Sequence, residues 1–322
     1  MYDVVALGEL LIDFTPSGYS DNGNLLFERN PGGAPANVLA ALAKLDRKTA
    51  FIGKAGNDQF GNFLLDVLKE AQIDTSGMVL SDEANTTLAF VHLKENGDRS
   101  FSFYRKPGAD MLLREEEVDI QLIRNAKLFH FGSLSMTDEP AKTATLRAVE
   151  WAKEQGKLIS YDPNLRPPLW DDMNHAKETM LHVMEYVDIL KISEDELAFL
   201  ADTEDIEKGS LLLHEWYEIP LILVTLGENG SFYRRGTDHG RVNGFEVNAV
   251  DTTGAGDAFL AGVINKVLEA NKNIQEFSCD ELKELLISGN ALGALAAIKK
   301  GGIPAMPSKA EINEMIAQVC TA

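Results

Sequence analysis

Short apolar runs alternate with longer amphipathic stretches along this chain. The apolar runs, which have the length and composition of buried strands, are 4–7, 50–52, 128–131, 158–161, 189–192 and 221–224. The stretches with apolar residues every three or four positions, which predict helices, are 34–45, 59–69, 141–154 and 176–186, with two more before the last strand. This alternation predicts an α/β fold, a mainly parallel sheet with helices on both faces. Ligands of such folds bind at the carboxyl ends of the strands.

Two segments do not fit the alternation. Residues 13–31 are polar and rich in Gly, Ser and Asn, while 86–93 and 99–105 are strand-like and are joined by Glu-Asn-Gly-Asp, a hairpin signal. We expect a single domain over 1–322, in which about 13–31 and 86–106 form a small β lid above the strand ends. Because a lid sheet has open edges, it could pair with a second subunit as a homodimer.

A glycine turn precedes the helical C-terminal third, which we expect to include helices over 282–299 and 312–319. Gly254 and Gly256 lead into an apolar pattern of helical spacing that begins at Asp257. The free N–H groups and the dipole at such a helix start favour an anion, and phosphate is the natural candidate. Asp257 could merely complement the dipole, or it could remove a proton from a hydroxyl nucleophile.

Composition limits the classes of function. Thirty basic and fifty acidic residues give a net charge of −20, which argues against nucleic acid or an anionic membrane as partner. Cys279 and Cys320 have no CxxC spacing, so we expect neither a disulfide framework nor a zinc site. The N-terminus has an acid where a signal peptide needs basic residues, and no apolar run is long enough to span a membrane. The sequence therefore predicts a cytoplasmic protein.

The segment Asp-Thr-Thr-Gly-Ala-Gly-Asp at 251–257 resembles the second signature of the ribokinase-like (PfkB) carbohydrate kinases, Asp-Thr-x-Gly-Ala-Gly-Asp. That family phosphorylates sugar or nucleoside hydroxyls with ATP and Mg²⁺. The resemblance implies that Asp257 is the catalytic base. It also implies that the amides of Gly254, Ala255 and Gly256 form the anion hole for the transferring phosphoryl group.

A second segment, Pro-Gly-Gly-Ala-Pro-Ala-Asn at 31–37, resembles the family's first signature, in which the paired glycines and the asparagine touch the sugar. An asparagine amide both donates and accepts hydrogen bonds, which suits sugar hydroxyls. Asp13 matches the family's acid that accepts hydrogen bonds from two sugar hydroxyls. The residues expected at the sugar are Asp13, Gly32, Gly33, Asn37, Tyr104 and Arg105 of the lid, and Arg166, which could instead contact phosphate.

The nucleotide side is implied by three further segments. Asp-Pro-Asn-Leu-Arg at 162–166 resembles the family segment that places an asparagine near the ATP phosphates. Ser193 stands where the family has the asparagine of Asn-x-x-Glu, so Glu196 could hold Mg²⁺ through water, or Ser-x-x-Glu could be only a helix capping box. The residues expected at ATP are Asn164, Lys191, Ser193, Thr225, Gly227, Gly230, Asn290 and Ala294. Asp251 and Thr253, with carbonyls near Gly301, correspond to a monovalent-cation (K⁺) site of some relatives.

The resemblance covers essentially the whole chain, and within the family it is closest to fructokinases, notably at 8–14 and 103–112. It implies transfer of the ATP γ-phosphoryl group to the 6-hydroxyl of fructose. The alternative substrates are 2-keto-3-deoxygluconate and ribose. A sugar-binding regulator without catalysis is the alternative from another class, and the intact glycine turn argues against it. A dinucleotide oxidoreductase is disfavoured because no GxGxxG follows the first strand.

Overall fold

The computed structural model describes residues 1–93 and 99–319. The strands, in chain order, are β1 (Tyr2–Leu7), β2 (Leu11–Tyr19), β3 (Leu25–Gly32), β4 (Thr49–Gly56), β5 (Ile73–Ser81), β6 (Leu88–Leu93), β7 (Arg99–Tyr104), β8 (Ala126–Gly132), β9 (Leu158–Asp162), β10 (Ile189–Ser193), β11 (Leu221–Thr225), β12 (Ser231–Arg235) and β13 (Asp238–Val242). The helices are α1 (Ala34–Ala43), α2 (Gln59–Glu70), α3 (Ile120–Arg124), α4 (Ala141–Glu154), α5 (Met173–His182), α6 (Glu194–Ala201), α7 (Ile206–Tyr217), α8 (Ala255–Ala270), α9 (Cys279–Ala297) and α10 (Lys309–Val319).

Nine strands form the large sheet, in the order β13-β12-β11-β10-β9-β8-β1-β4-β5. Its pairs are parallel from β11 to β5, whereas the pairs β11–β12 and β12–β13 at the other end are antiparallel. The predicted α/β class is therefore confirmed. Since consecutive strand residues point to opposite faces, Val4 and Ala6 of β1 enter one apolar cluster, while Val5 and Leu7 enter the other.

The two clusters account for the helices on both faces. One cluster joins the sheet to α1, α8 and α9 through residues such as Leu39, Leu260 and Leu286. The other joins it to the helices of the opposite face, with Val149 and Met180 among its members. Both faces of a parallel sheet must be covered in this way, which explains why its strands are near-continuous apolar runs.

A second, small sheet has the order β3-β2-β6-β7. Its strands come from the two segments that interrupt the alternation. It begins at the carboxyl end of β1, because β2 starts at Leu11 and β1 ends at Leu7. The hairpin turn predicted at 95–98 lies outside the described residues. The action of this small sheet as a lid stays a prediction.

Several element boundaries differ from the sequence prediction. Helix α5 begins at Met173 rather than at 176, because the Asp172 carboxylate accepts from the Asn174 amide, and it ends at His182 before a 3₁₀ turn. Helix α9 begins three residues early, at Cys279, because Ser278 and Glu281 form a capping box. Strand β5 was not predicted. Among the residues that the structure describes, no helix combines the length and apolar character that crossing a membrane requires.

Candidate active site

Two glycine-capped helix starts meet at the carboxyl ends of the central strands. Gly33 precedes α1 with φ 127°, and a Cβ there would lie 2.3 Å from the carbonyl oxygen of Glu9. Gly254 precedes α8 with φ 76°. Both positions need glycine, because a side chain at positive φ is strained. The first turns of the two helices then bring Asn37 and Asp257 together, with Asn37 Nδ2 donating to Asp257 Oδ2 at 2.8 Å.

The Asp257 carboxylate is buried in the first turn of α8. Burial, and next the charge of Asp162, raises its pKa to about 6, although Lys191, the Asn37 amide and Arg166 pull the pKa down. An acid with this pKa is ionised at neutral pH, yet it holds a proton better than an ordinary aspartate does. This is the property that a general base needs.

Asn37 has an acceptor that no described residue uses. Its Oδ1 is buried and has no hydrogen-bond partner in the described part of the chain. Such an atom costs free energy unless a ligand or water donates to it. The oxygen belongs to the same amide whose nitrogen donates to Asp257, so a hydroxyl that satisfies it would also lie near that carboxylate.

Asp13, at the start of the small sheet, belongs to the same site. A Cβ on Gly32 would lie 2.2 Å from Asp13 Oδ2, so a larger residue at this position would displace the carboxylate. Burial raises the Asp13 pKa to about 6, the charge of Arg166 lowers it, and that of Asp251 raises it. Arg166 therefore acts on both Asp13 and Asp257. Its Nη1 donates to the carbonyl of Leu165 at 3.2 Å.

A buried lysine, paired with an aspartate, lies next to the glycine turn. Lys191 Nζ donates to Asp162 Oδ2 at 2.9 Å, and both side chains are buried. A Cβ on Gly256 would lie 2.9 Å from this Nζ, so the ammonium lies against the glycine backbone. Burial alone would lower the Lys191 pKa, but the charges of Asp162, Glu196 and Asp257 raise it. The ammonium thus places one positive charge beside the glycine turn, among several carboxylates.

Ser193 and Glu196 do form the capping box. Ser193 Oγ accepts from the Glu196 amide at 3.1 Å, and Glu196 Oε2 accepts from the Ser193 amide at 2.7 Å. The other carboxylate oxygen of Glu196 accepts from the Leu165 amide at 2.7 Å, which ties α6 to the segment that carries Asn164. Asn164 itself has φ 47° and donates its amide to Asp162 Oδ1 at 3.1 Å. The capping role is observed, and the metal role stays a prediction.

Five further residues predicted to bind ATP lie near the ends of β11 and β13 or on α9. A Cβ on Gly230 would lie 2.1 Å from the carbonyl oxygen of Val242, so packing alone requires glycine there. Asn290 Nδ2 donates to the same carbonyl at 3.2 Å. Thr225 Oγ1 donates to the carbonyl of Ile192 at 3.4 Å. The remaining two residues of this group are Gly227, with φ 58°, and the half-buried Ala294 of α9. Contacts of these residues with ATP stay predictions.

Asp251 ties the glycine turn to the chain beyond α9. Its Oδ1 accepts from the Thr253 amide at 2.9 Å, and its Oδ2 accepts from the Gly301 amide at 3.0 Å. The described residues contain no cluster of three or more His, Cys, Asp or Glu side chains suited to a metal. A monovalent cation needs carbonyl oxygens rather than such a cluster, and its binding here stays a prediction.

Arg105 makes more hydrogen bonds within the protein than the sequence predicts. The side chain is buried, with Nε donating to Asp110 Oδ2 at 2.7 Å, Nη1 to Thr137 Oγ1 at 2.9 Å and Nη2 to the Leu134 carbonyl at 2.8 Å. These bonds fasten the end of β7 to the segment after β8. Tyr104 is 66% exposed. Sugar contacts of Arg105 and Tyr104 stay predictions.

Two acids of the site were not among the predicted residues. Asp162 holds Lys191, and Glu9 Oε1 accepts from the Ala34 amide at the start of α1 at 2.8 Å. Burial raises the Glu9 pKa to about 7. A signal for Asp162 existed in the sequence, because a lysine inside an apolar strand needs a buried acid as partner.

Fold and site together define a sugar kinase. Residues 1–309 match the family model described as pfkB family carbohydrate kinase, and the chain belongs to that family. The family membership inferred from the signatures is therefore confirmed.

Individual relatives extend the similarity. "Probable fructokinase-2" of Arabidopsis thaliana is 44% identical over 310 residues, which are 96% of this chain and 94% of that protein. The solved structure of a Xylella fastidiosa fructokinase with bound ATP has a TM-score of 0.90 and 32% identity, and the match covers 99% of this chain and 100% of that one. A Vibrio cholerae O395 fructokinase double mutant with fructose, ADP and potassium ion bound has a TM-score of 0.88 and 32% identity over 98% of each chain.

Proposed function

We propose that this chain is an ATP-dependent fructokinase, which converts D-fructose and ATP to D-fructose 6-phosphate and ADP. One observation carries the proposal: the buried Asp257 carboxylate lies at a glycine-capped helix start and is bonded to Asn37, whose buried oxygen has no partner among the described residues. The fructokinases similar to this chain support fructose as the substrate.

Each group then has a distinct task. Asp257 takes the proton of the 6-hydroxyl, while Asp13 and Asn37, beside Gly32 and Gly33, hold other hydroxyls of the sugar. The amides of 254–256 and the Lys191 ammonium stabilise charge on the transferring phosphoryl group. Phosphoryl transfer needs little covalent chemistry from the protein, so this positioning supplies most of the rate.

ATP is expected to bind as its Mg²⁺ complex, and Glu196 fits an indirect role towards that ion. Both of its carboxylate oxygens already accept one backbone N–H, which leaves each of them a lone pair for a metal-bound water. Such a partner of the metal shell orients ligands rather than replacing them. Mg²⁺ supplies neutralisation of charge on the β- and γ-phosphates when bound.

A substrate panel tests the proposal. Fructose should give the highest kcat/KM with ATP, above 2-keto-3-deoxygluconate and ribose, in steady-state assays of the purified protein. A higher kcat/KM for another sugar would support a sugar kinase whose substrate is not fructose. Sugar binding by calorimetry without turnover of any sugar would instead support the regulator.

Glu196→Gln should raise the free Mg²⁺ concentration for half-maximal activity by about 10–100-fold, the usual cost of losing an outer-shell partner. The variant should also lose stability, because the amide cannot accept from both the Ser193 and Leu165 N–H groups. The loss of a helix cap costs about 0.5–2 kcal/mol. Mg²⁺ titrations of activity and thermal melts of the same variant measure the two effects separately.

Helix α9 offers a matched control. Ser278 and Glu281 form the same capping box, with Glu281 Oε2 accepting from the Ser278 amide at 2.7 Å. Glu281→Gln should lower the melting temperature to a similar extent and leave the Mg²⁺ dependence unchanged. An equal Mg²⁺ dependence in Glu196→Gln and Glu281→Gln would reduce Glu196 to its capping role.

A homodimer through the small sheet is part of the proposal. The outer strands of that sheet are β3 and β7, and β3 exposes Leu25 by 44% and Leu26 by 46%. Exposed apolar side chains on an edge strand favour pairing with another chain. Changing both leucines to aspartate should convert a dimer to a monomer in sedimentation velocity. A wild-type monomer at assay concentration would contradict the dimer. The cytoplasmic location and K⁺ binding stay predictions.

A further inference from the structure

Two buried acids, Asp162 and Asp257, lie near one buried lysine, Lys191, beside the glycine turn at 254–256. The charge of Lys191, on β10, acts on both Asp162 of β9 and Asp257 of α8. The ion pair forms with Asp162, at 2.9 Å. In the described part of the chain, Lys191 has no ion pair with Asp257, whose Oδ2 accepts from the Asn37 amide instead.

A second hydrogen bond, from the backbone, holds the Asp162 carboxylate. Its Oδ1 accepts from the Asn164 amide at 3.1 Å, just where the chain turns out of β9 with Asn164 at φ 47°. A buried carboxylate is tolerated only when its charge and its lone pairs are satisfied. The loop and the lysine together satisfy both oxygens, so the carboxylate and the ammonium fix each other's position.

We infer that Asp162 is a positioning residue, which holds the Lys191 ammonium against the Gly256 backbone and keeps it out of an ion pair with Asp257. The inference rests on the proposed function, because it takes Asp257 as the base. A base paired directly with lysine would be a poor proton acceptor, and its oxygens would be blocked. A lysine held at Gly256 can neutralise charge on the phosphoryl group instead.

The charged groups that face Asp257 make the inference measurable. They are the Asp162 carboxylate, the Lys191 ammonium and the Arg166 guanidinium, and the neutral Asn37 amide donates to it as well. Asp162→Asn removes a negative charge and frees the lysine to approach Asp257, and both changes lower the Asp257 pKa. Lys191→Gln removes a positive charge and raises that pKa.

The pH dependence of kcat/KM for fructose, at saturating ATP and Mg²⁺, tests this. A base must be ionised, so wild-type activity should fall as the pH drops through about 6, the pKa of Asp257. In Asp162→Asn this acid limb should move down by about one unit or more, and the plateau should fall about tenfold. In Lys191→Gln the limb should move up. The double variant should return the limb towards its wild-type position with a low plateau.

The other end of the same strands provides a control. Asp188 precedes β10, its Oδ2 accepts from the Ile159 amide of β9 at 2.8 Å, and it pairs with Lys153 at 3.7 Å. Asp188→Asn should lower thermal stability and leave the acid limb in place. Asp162→Glu, which keeps the charge, should retain the wild-type limb better than Asp162→Asn does.

A folded Asp162→Asn protein with an unmoved acid limb overturns the inference. If Asp162→Asn does not fold, Lys191→Gln decides alone: an upward shift supports the inference, and an unmoved limb overturns it. Failure of the proposed function is recognised separately, because Asp257→Asn would then keep its turnover. If Asp257→Asn is inactive and the acid limb of Asp162→Asn is unmoved, the inference is overturned and the proposed function stands.

Discussion

Asp257→Asn should lower kcat by about 10²–10⁴, the range that general-base catalysis supplies. Asparagine keeps the shape of the side chain, but it cannot take up the proton of the sugar hydroxyl. The Asn37 amide donates to Asp257 at 2.8 Å and would face the new amide, which can turn its oxygen towards it. Steady-state kinetics with fructose and ATP measures the loss.

Binding and folding should survive this change. The loss of an acid at a helix N-terminus costs only about 0.3–1 kcal/mol, and Asp257 is a buried acid whose raised pKa shows that its charge is unfavourable there. Calorimetry with fructose and a non-hydrolysable ATP analogue should therefore give affinities close to those of the wild type.

A linked effect on stability has a definite sign. The pKa of Asp257 is raised to about 6 in the folded protein, so the folded state binds this proton more tightly than the unfolded chain does. The stability contributed by this group therefore falls as the pH rises from the ordinary aspartate pKa to about 6, the full loss persists above that pH, and Asp257→Asn removes this dependence. Turnover of fructose by Asp257→Asn within a few-fold of the wild type would show that Asp257 is not the base.

The sheet was predictable because β1 and its neighbours are buried on both faces. Val4 to Leu7 form a continuous apolar run, as a strand covered by helices requires. Strand β5 was missed because it lies at the edge of the sheet, where Asp74, Thr75 and Ser76 interrupt the pattern. A strand with one open side needs no continuous apolar run, so its sequence gives a weak signal.

Local signals also placed the helix starts at the site, whereas long-range pairing was invisible. Gly33 and Gly254 are recognisable because positive φ favours glycine, and Ser193 with Glu196 forms the capping box that their spacing predicts. The spacing could not show that Glu196 also binds the Leu165 amide. Such a contact depends on how the start of α6 and the loop after β9 approach each other, which no periodicity encodes.

Arg105 shows the same limit for charged residues. Its position at the end of a predicted lid strand suggested a contact with the sugar. No sequence pattern indicated that Asp110, five residues later, would accept from its Nε, or that residues after β8 would accept from both of its Nη groups. A buried guanidinium has five N–H groups to satisfy, and the tertiary structure alone decides which acceptors it meets.

Gly256→Ala should lower kcat by about 10²–10³, as expected when one donor of an anion hole is lost. The added Cβ would lie 2.9 Å from Lys191 Nζ and 3.4 Å from its Cε. The ammonium cannot move freely, because it is bonded to Asp162 at 2.9 Å. The methyl group would therefore displace the cation and obstruct the approach of a phosphoryl group to the amides. Alanine favours helix by about 1 kcal/mol over glycine, which offsets part of the cost of displacing the buried cation, so the larger effect should be on kcat.

Gly262→Ala, on the same helix, is the control for this prediction. A Cβ at 262 would also meet an atom at 2.9 Å, the carbonyl oxygen of Ser288, but this contact lies in the packing of α8 against α9. Overpacking there should cost about 1–3 kcal/mol of stability and leave kcat within a few-fold of the wild type. The main expected effect is therefore on kcat for Gly256→Ala and on stability for Gly262→Ala. Full activity of a Gly256→Ala protein with unchanged stability would mean that the amide at 256 and the lysine beside it do not face the transferring group.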